Sequence, residues 1–100
     1  MTTTTMADFA DKAADVASLL RELANEKRLL ILCVLMDQKE VTVNDLADAV
    51  DLSQSALSQH LSRLRQHNVV ACRRDGATML YSVADSNVGR ILKTLKSIYC

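Results

Sequence analysis

Apolar residues recur every three or four positions along most of the chain, a spacing that places them on one face of a helix. The first such stretch begins at Ala7, and its apolar positions are Phe9, Ala13, Val16, Leu19, Leu20 and Leu23. The second, residues 26–36, follows Asn25 and is apolar nearly all round, which predicts a central helix with Asn25 as its cap. Residues 1–6 carry no such pattern, and we expect them to form a flexible N-terminal tail.

Two further helices are predicted in the middle of the chain. Thr42, with Asp45 three residues later, is a capping signal for a short helix over residues 43–50. After a tight turn, Ser53 caps a longer helix over residues 54–67. A short helix, a tight turn and a longer helix together predict a helix-turn-helix.

The pattern then changes from helical to strand-like. Residues 69–74 and 78–83 are rich in Val, Thr and Tyr, and the Asp-Gly pair between them is typical of a hairpin. A last amphipathic helix, capped by Asp85 or Ser86, ends near Ile98. A hairpin directly after a helix-turn-helix is the arrangement of a winged helix.

Composition supports one mainly helical domain. The chain has 100 residues, 3% aromatic side chains, no Pro and two Gly, which favours helices packed through aliphatic side chains. We therefore predict a mainly α fold with a small β-hairpin, a winged helix-turn-helix of five helices and a two-stranded wing, over residues 7–100. No segment has the length of a membrane span and none resembles a signal peptide, so we expect a cytoplasmic protein whose three cysteines are thiols.

The formal net charge is zero, but the charges are unevenly distributed. Residues 1–51 carry ten acidic and five basic side chains, whereas residues 52–100 carry two acidic and seven basic ones. Such a chain can present a basic face to phosphate while it stays neutral overall. Chance clustering of solvated charges is the alternative explanation of this feature taken alone.

The helix over residues 54–67 has a surface suited to reading DNA. On a helical wheel its leucines lie on one side, and Ser and Gln lie on the other side with Arg beside them. It carries no acid, and its Ser, Gln and Arg side chains can bind base edges or phosphate. The predicted DNA contacts are Gln54, Ser55, Ser58, Gln59, Ser62, Arg63 and Arg65, with Arg73 and Arg74 at the wing. A merely solvated Ser-rich helix is the alternative, and we interpret His60, at the edge of the apolar side, as a packed histidine.

Two segments carry a family resemblance. Residues 23–32, LANEKRLLIL, and residues 52–65, LSQSALSQHLSRLR, resemble the ArsR/SmtB family of bacterial repressors, and the similarity extends from about residue 16 to the C-terminus. The resemblance implies a winged helix homodimer formed through the first and last helices, with an effector sensed away from the DNA. Such a dimer would bind double-stranded DNA at an inverted-repeat operator with half-sites about one helical turn apart.

The known metal sites of that family do not transfer to this sequence. One uses a Cys-x-Cys in the helix before the reading helix, where residues 43–50 have neither Cys nor His. Another uses Asp and His on the last helix, which here has no His. We therefore expect no metal and no other cofactor, although a metal-responsive repressor that uses Cys33, Cys72 or Cys100 in an unfamiliar site stays open as an alternative.

Two cysteines resemble those of a thiol-based subgroup of the family. Cys33 follows Ile-Leu in the second helix, and Cys100 follows Tyr at the end of the last helix, as in regulators of sulfide oxidation, biofilm growth and haemolysin expression. The resemblance implies a reduced form that binds DNA. Reactive sulfur species, persulfide or polysulfide, would link the two sulfurs by a disulfide or short polysulfide bridge and weaken binding. Taken alone, Cys33 would be a small buried hydrophobic residue, and Cys72 is interpreted as incidental.

Enzymatic activity is not expected. No nucleophile–base pair, phosphate-binding loop or pair of carboxylates stands out. A protein-interaction module on the same scaffold, without DNA binding, is the remaining alternative, and the strip of Ser, Gln and Arg argues against it.

Overall fold

Five helices and three strands make up residues 5–100, the part of the chain that the computed structural model describes. In chain order they are α1 (Met6–Leu23), α2 (Glu26–Gln38), β1 (Val41–Thr42), α3 (Val43–Val50), α4 (Gln54–Gln66), β2 (Val70–Asp75), β3 (Thr78–Val83) and α5 (Ser86–Tyr99). The mainly helical winged helix-turn-helix is confirmed. Residues 1–4 of the expected tail lie outside the described residues, and α1 begins at Met6, one residue earlier than the pattern indicated.

Side-chain caps set the helix starts. Asn25 caps α2, Thr42 caps α3 and Ser53 caps α4, each by accepting a hydrogen bond from a backbone amide of the first turn. Asp85, rather than Ser86, caps α5. Thr5 and the third residue of α1 form a reciprocal capping box that the sequence pattern did not reveal. Each cap satisfies an amide that has no partner inside its helix, so the boundaries follow from local sequence.

The wing is part of a three-stranded antiparallel sheet with the strand order β1-β3-β2. β2 and β3 form the predicted hairpin, which closes through Gly76 with φ at +64°, a value that favours glycine. β1 pairs Val41 with Tyr81 and Thr42 with Leu80, which adds a strand to the two expected. A two-residue strand is too short to show alternation, and its partner lies far along the chain, so only tertiary pairing reveals it.

The core lies between α2, α3, α4, the sheet and the inner side of α5. Its fully covered side chains include Ile31, Leu32, Leu35, Leu46, Leu57, Leu61, Leu64, Val69, Val88 and Leu92. By contrast, α1 buries only Glu22 and Leu23, near its end. Among residues 5–100, no helix combines the length and apolar character that crossing a membrane requires.

Candidate nucleic-acid interface

Three leucines orient α4. Leu57, Leu61 and Leu64 are buried against the core, so the opposite side of α4 must face solvent. All nine side chains predicted to contact DNA are exposed: Gln54, Ser55, Ser58, Gln59, Ser62, Arg63 and Arg65 on α4, and Arg73 and Arg74 on β2. The structure therefore brings the seven on α4 onto one accessible surface, with the two arginines of β2 on the wing. Gln54 at the start of α4 hydrogen-bonds Asn44 of α3, which ties the two helices of the motif together.

Two shallow grooves run along the exposed side of α4. One is lined by Ser58, Gln59, Ser62, Arg63, Gln66 and His67. The other is lined by Ser58, Ser62, Arg65, Gln66 and Tyr81, and it joins α4 to β3 of the wing. Gln66, His67 and Tyr81 were not among the predicted contacts. Gln66 lies on the Ser/Gln side of the helical wheel and could have been found there, whereas Tyr81 approaches α4 only through the fold.

Two of the four predicted arginines are paired with carboxylates. Arg63 binds Glu22 of α1 in a bidentate pair, with Nε–Oε1 at 2.6 Å and Nη2–Oε2 at 3.2 Å. Arg73 binds Glu40 in the same way, at 2.5 and 2.9 Å. The hydrogen bonds from these arginines lower the pKa of both carboxyl groups, so both are ionised at neutral pH. Each pair is close to neutral overall, which reduces the attraction of its arginine for phosphate.

Arg65 differs from these two because no carboxylate lies within salt-bridge distance of it in the described part of the chain. It lies beside Tyr81, whose pKa is raised first by burial and then by the neighbouring Cys72. Tyr81 consequently keeps its hydroxyl proton and can donate a hydrogen bond. Cys72 faces Tyr81 across the β2–β3 pair, so this thiol belongs to the wing.

His60 is half-buried at the edge of the apolar side of α4. Burial lowers its pKa, and the nearby charges of Arg28 and Arg63 lower it further. The neutral ring is therefore the favoured form at neutral pH. This environment agrees with a packed histidine rather than a base-reading one.

The two cysteines of the predicted switch lie on helices that pack together. Cys33 is half-buried on α2 against the core, and Cys100 is exposed directly after α5. α2 contacts the first turn of α5, where a Cβ on Gly89 would lie 3.1 Å from the methyl carbon of Met36. Cys100 is at the opposite end of α5 from this contact. Cys33 and Met36 are one helical turn apart on α2. Both cysteines, and Cys72, are free thiols.

No candidate metal site is present among residues 5–100. No group of three or more His, Cys, Asp or Glu side chains within that range is arranged to hold a metal ion.

Comparison with known proteins assigns the family. Residues 25–71 match the family model described as bacterial regulatory protein, arsR family. The HTH-type transcriptional regulator YgaV of Escherichia coli (strain K12) is 38% identical over 97 residues, which cover 97% of this chain and 98% of that protein. The chain belongs to the arsR family of bacterial regulatory proteins. The family description and the names of these relatives are those of regulatory proteins.

Solved structures of arsR-family relatives support the same assignment. Reduced HlyU from Vibrio cholerae N16961 superimposes with a TM-score of 0.87 at 38% identity, covering 95% of this chain and 99% of that one. The transcriptional repressor BigR from Xylella fastidiosa gives a TM-score of 0.89 at 30% identity, covering 97% and 98%. The chain is thus a DNA-binding transcriptional regulator with a winged helix, and its relatives include a biofilm growth-associated repressor, as the resemblance implied.

Proposed function

We propose that this regulator is a homodimeric repressor whose affinity for an inverted-repeat operator is controlled by a Cys33/Cys100 dithiol that reacts with reactive sulfur species. The observation that carries the proposal is the position of the two thiols. Cys33 lies on α2 and Cys100 directly follows α5, two helices that are in contact, and neither thiol is on the DNA-reading side of α4. An effector can therefore act there without competing with DNA.

Exposed apolar side chains on α1 and α5 support the dimer. Phe9 is 51% exposed, Ile98 is 65% exposed and Tyr99 is 81% exposed. Isolated exposed apolar residues are ordinary, but several on two helices indicate an interaction surface. A second copy that covers α1 and α5 in a two-fold arrangement would present two α4 helices to two half-sites of an inverted repeat.

The DNA contacts divide by chemistry. Ser58, Gln59 and Ser62 are short or planar polar side chains that suit base edges in the major groove. Arg65 and Arg74 have no carboxylate partner in residues 5–100 and suit phosphate. The proposed set of DNA contacts also includes Gln54, Ser55, Arg63 and Arg73.

The chemistry of the switch balances with an organic trisulfide, RSSSR, as the oxidant. The exposed Cys100 thiolate attacks the central sulfur, forms an S–S bond to it and releases RS⁻. Cys33 then attacks that same sulfur and releases the second RS⁻, which leaves Cys33 and Cys100 joined through one added sulfur. The two thiols lose two electrons and two protons, and the trisulfide becomes two RSH. The added sulfur spans a gap wider than a disulfide, whose Cα atoms must lie within about 7 Å.

A covalent bridge between Cys33 and Cys100 could change the position of the DNA-reading helices in two ways. α5 carries apolar residues of the proposed dimer interface, so its displacement would change the separation of the two α4 helices. α2 is linked to the helix-turn-helix because Lys27 Nζ donates to the carbonyl of Val50 at the end of α3, at 2.8 Å. A coupling of about 1–3 kcal/mol would change DNA affinity about 5- to 150-fold.

Peptide mass spectrometry of the reduced protein after treatment with glutathione trisulfide tests the proposal, with hydrogen peroxide and diamide in parallel. We expect a Cys33–Cys100 cross-link with an added sulfur only under the trisulfide, together with release of DNA from the promoter of its own gene. Cys72→Ser should behave like wild type, while Cys33→Ser and Cys100→Ser should not cross-link. An unmodified Cys33 would contradict the dithiol switch, and metal titration of the reduced protein would then test the alternative effector.

A further inference from the structure

Glu22 is a buried carboxylate at the junction between α1 and the DNA-reading helix. Its side chain is only 3% exposed, although it belongs to the last turn of a mostly exposed helix. It lies next to Arg63 and 3.4 Å from His67 Nε2, both at the C-terminal end of α4. None of the proposed DNA contacts requires an acid in this place.

The surrounding contacts hold Glu22 firmly. Arg28 Nε donates to the backbone carbonyl of Glu22 at 2.6 Å, and its Nη2 donates to the carbonyl of Arg21 at 3.2 Å. The backbone of the α1 end is thus fixed by α2, while the carboxylate is fixed by Arg63. Removing Arg63 from Glu22 would leave a buried charge without its main partner, which is unfavourable.

Arg63 keeps free donors in this arrangement. A guanidinium has five N–H groups, and Glu22 accepts from Nε and from one hydrogen on Nη2. The two Nη1 hydrogens stay available, and the side chain is 52% exposed at the groove on α4. Arg63 can therefore donate to DNA from one fixed orientation without leaving Glu22.

We propose that Glu22 is a positioning residue that sets the specificity of DNA binding. It fixes the direction of the Arg63 Nη1 edge and cancels its charge, so Arg63 adds a directional contact at the operator but little general attraction to phosphate. This inference rests on the proposed DNA contacts of α4 and concerns how one of them discriminates between sequences.

The Glu40–Arg73 pair on the wing shows why burial matters. Both of its side chains are well exposed, at 40% for Glu40 and 57% for Arg73. A phosphate can displace Glu40 because water solvates the released carboxylate. The same exchange is less favourable for Glu22, because its side chain is only 3% exposed and its released carboxylate would be poorly solvated.

Salt dependence of binding to a random-sequence DNA duplex tests the proposal with the full chain. Glu22→Gln removes the negative charge and replaces one of the two acceptors of Arg63 by an amide NH2, so the positive charge of Arg63 is no longer cancelled. We expect tighter binding to random DNA, a slope of log K against log salt that is steeper by about 0.9 per protomer, and a smaller ratio of operator to random-DNA affinity. Asp11→Asn is the matched control, because it removes the same charge from α1 about 16 Å away, beyond the screening length of about 8–10 Å.

Equal salt-dependence slopes for Glu22→Gln and Asp11→Asn would overturn the proposal. A loss of operator binding by Glu22→Gln with an unchanged slope would also overturn it, because that result indicates a purely structural role. If Glu22→Gln does not fold, the double variant Glu22→Leu/Arg63→Leu, which leaves no buried charge unpaired, and Arg65→Gln replace it. We then expect the double variant to leave the random-DNA slope near the wild-type value and Arg65→Gln to reduce it by about 0.9 per protomer. Equal reductions would contradict the proposal, whereas a wild-type protein that binds no DNA would refute the proposed DNA contacts instead.

Discussion

α4 and α1 are both amphipathic helices, yet the fold treats them in opposite ways. The apolar side of α4 is buried completely, by packing that includes α3 and β2. The apolar side of α1 stays largely open, with Met6 and Phe9 exposed and only Leu23 buried among its apolar residues. The same sequence pattern thus serves intramolecular packing in one region and, in our proposal, contact with a second copy in the other.

The largest effect should come from the covered region. Leu61→Ala removes a buried side chain from α4 and should lower the free energy of unfolding by about 2–5 kcal/mol, because a cavity remains in a packed core. Urea denaturation measures it. Leu20→Ala, on the open side of α1, is the matched control and should have a small effect at low protein concentration that grows with concentration, because dimerisation is linked to stability. Equal, concentration-independent losses would contradict the distinction between the two regions.

The open region should control assembly. Phe9→Asp places a charge in the proposed interface and removes about 1.5–3 kcal/mol of apolar burial, so the dimer should dissociate at least about tenfold more readily. Sedimentation velocity over a dilution series measures this, and Asp11→Ala on the same helix is the control. A dimer unaffected by Phe9→Asp would place the interface elsewhere.

The sulfur switch should connect the two regions through α5. Glutathione trisulfide should weaken operator binding about 5- to 150-fold in wild type and in Cys72→Ser. Cys100→Ser should bind the operator like reduced wild type and should not respond. Fluorescence anisotropy with a labelled operator measures both. A response that persists in Cys100→Ser would exclude the bridge as its cause.

The smallest effect concerns the ion pair that joins α1 to α4. The pKa of Glu22 is lowered in the folded protein, chiefly by the hydrogen bond from Arg63. Between the lowered pKa of folded Glu22 and the ordinary pKa of 4.5, the unfolded state binds more protons than the folded state. The stabilisation from the ion pair is therefore complete above pH 4.5 and is lost as the pH falls through the pKa of the folded protein. Urea denaturation between about pH 7 and about pH 3 should show a smaller decline of stability for Glu22→Gln than for wild type. Asp11→Asn should follow wild type, and a Glu22→Gln curve parallel to wild type would show that the pair does not contribute.

Much of the fold was predictable because its signals are local. Asn25, Thr42 and Ser53 cap the helices that their positions predicted, and the Asp-Gly pair marks the hairpin. The exposed strip on α4 follows from its helical period, since three leucines on one side determine what lies on the other. β1 was missed because its two residues become a strand only when β3 lies beside them.

Several site features escaped the sequence because they join distant segments. Glu22 and Arg63 are separated by 41 positions, and Glu40 and Arg73 by 33. Nothing in either local pattern indicates that one residue neutralises the other. The sequence correctly marked these arginines as basic and exposed, but it left open that two of them carry bound carboxylates.

By itself, the sequence determined the helices, their caps, the hairpin, the polar strip on α4 and the family resemblance, because periodicity and capping depend on neighbours within a few residues. The tertiary structure decided which apolar surfaces are covered, which arginines are neutralised, and that the helices bearing Cys33 and Cys100 pack together. Those properties depend on contacts between segments far apart in the chain, where burial changes the energy of a charge or an apolar side chain.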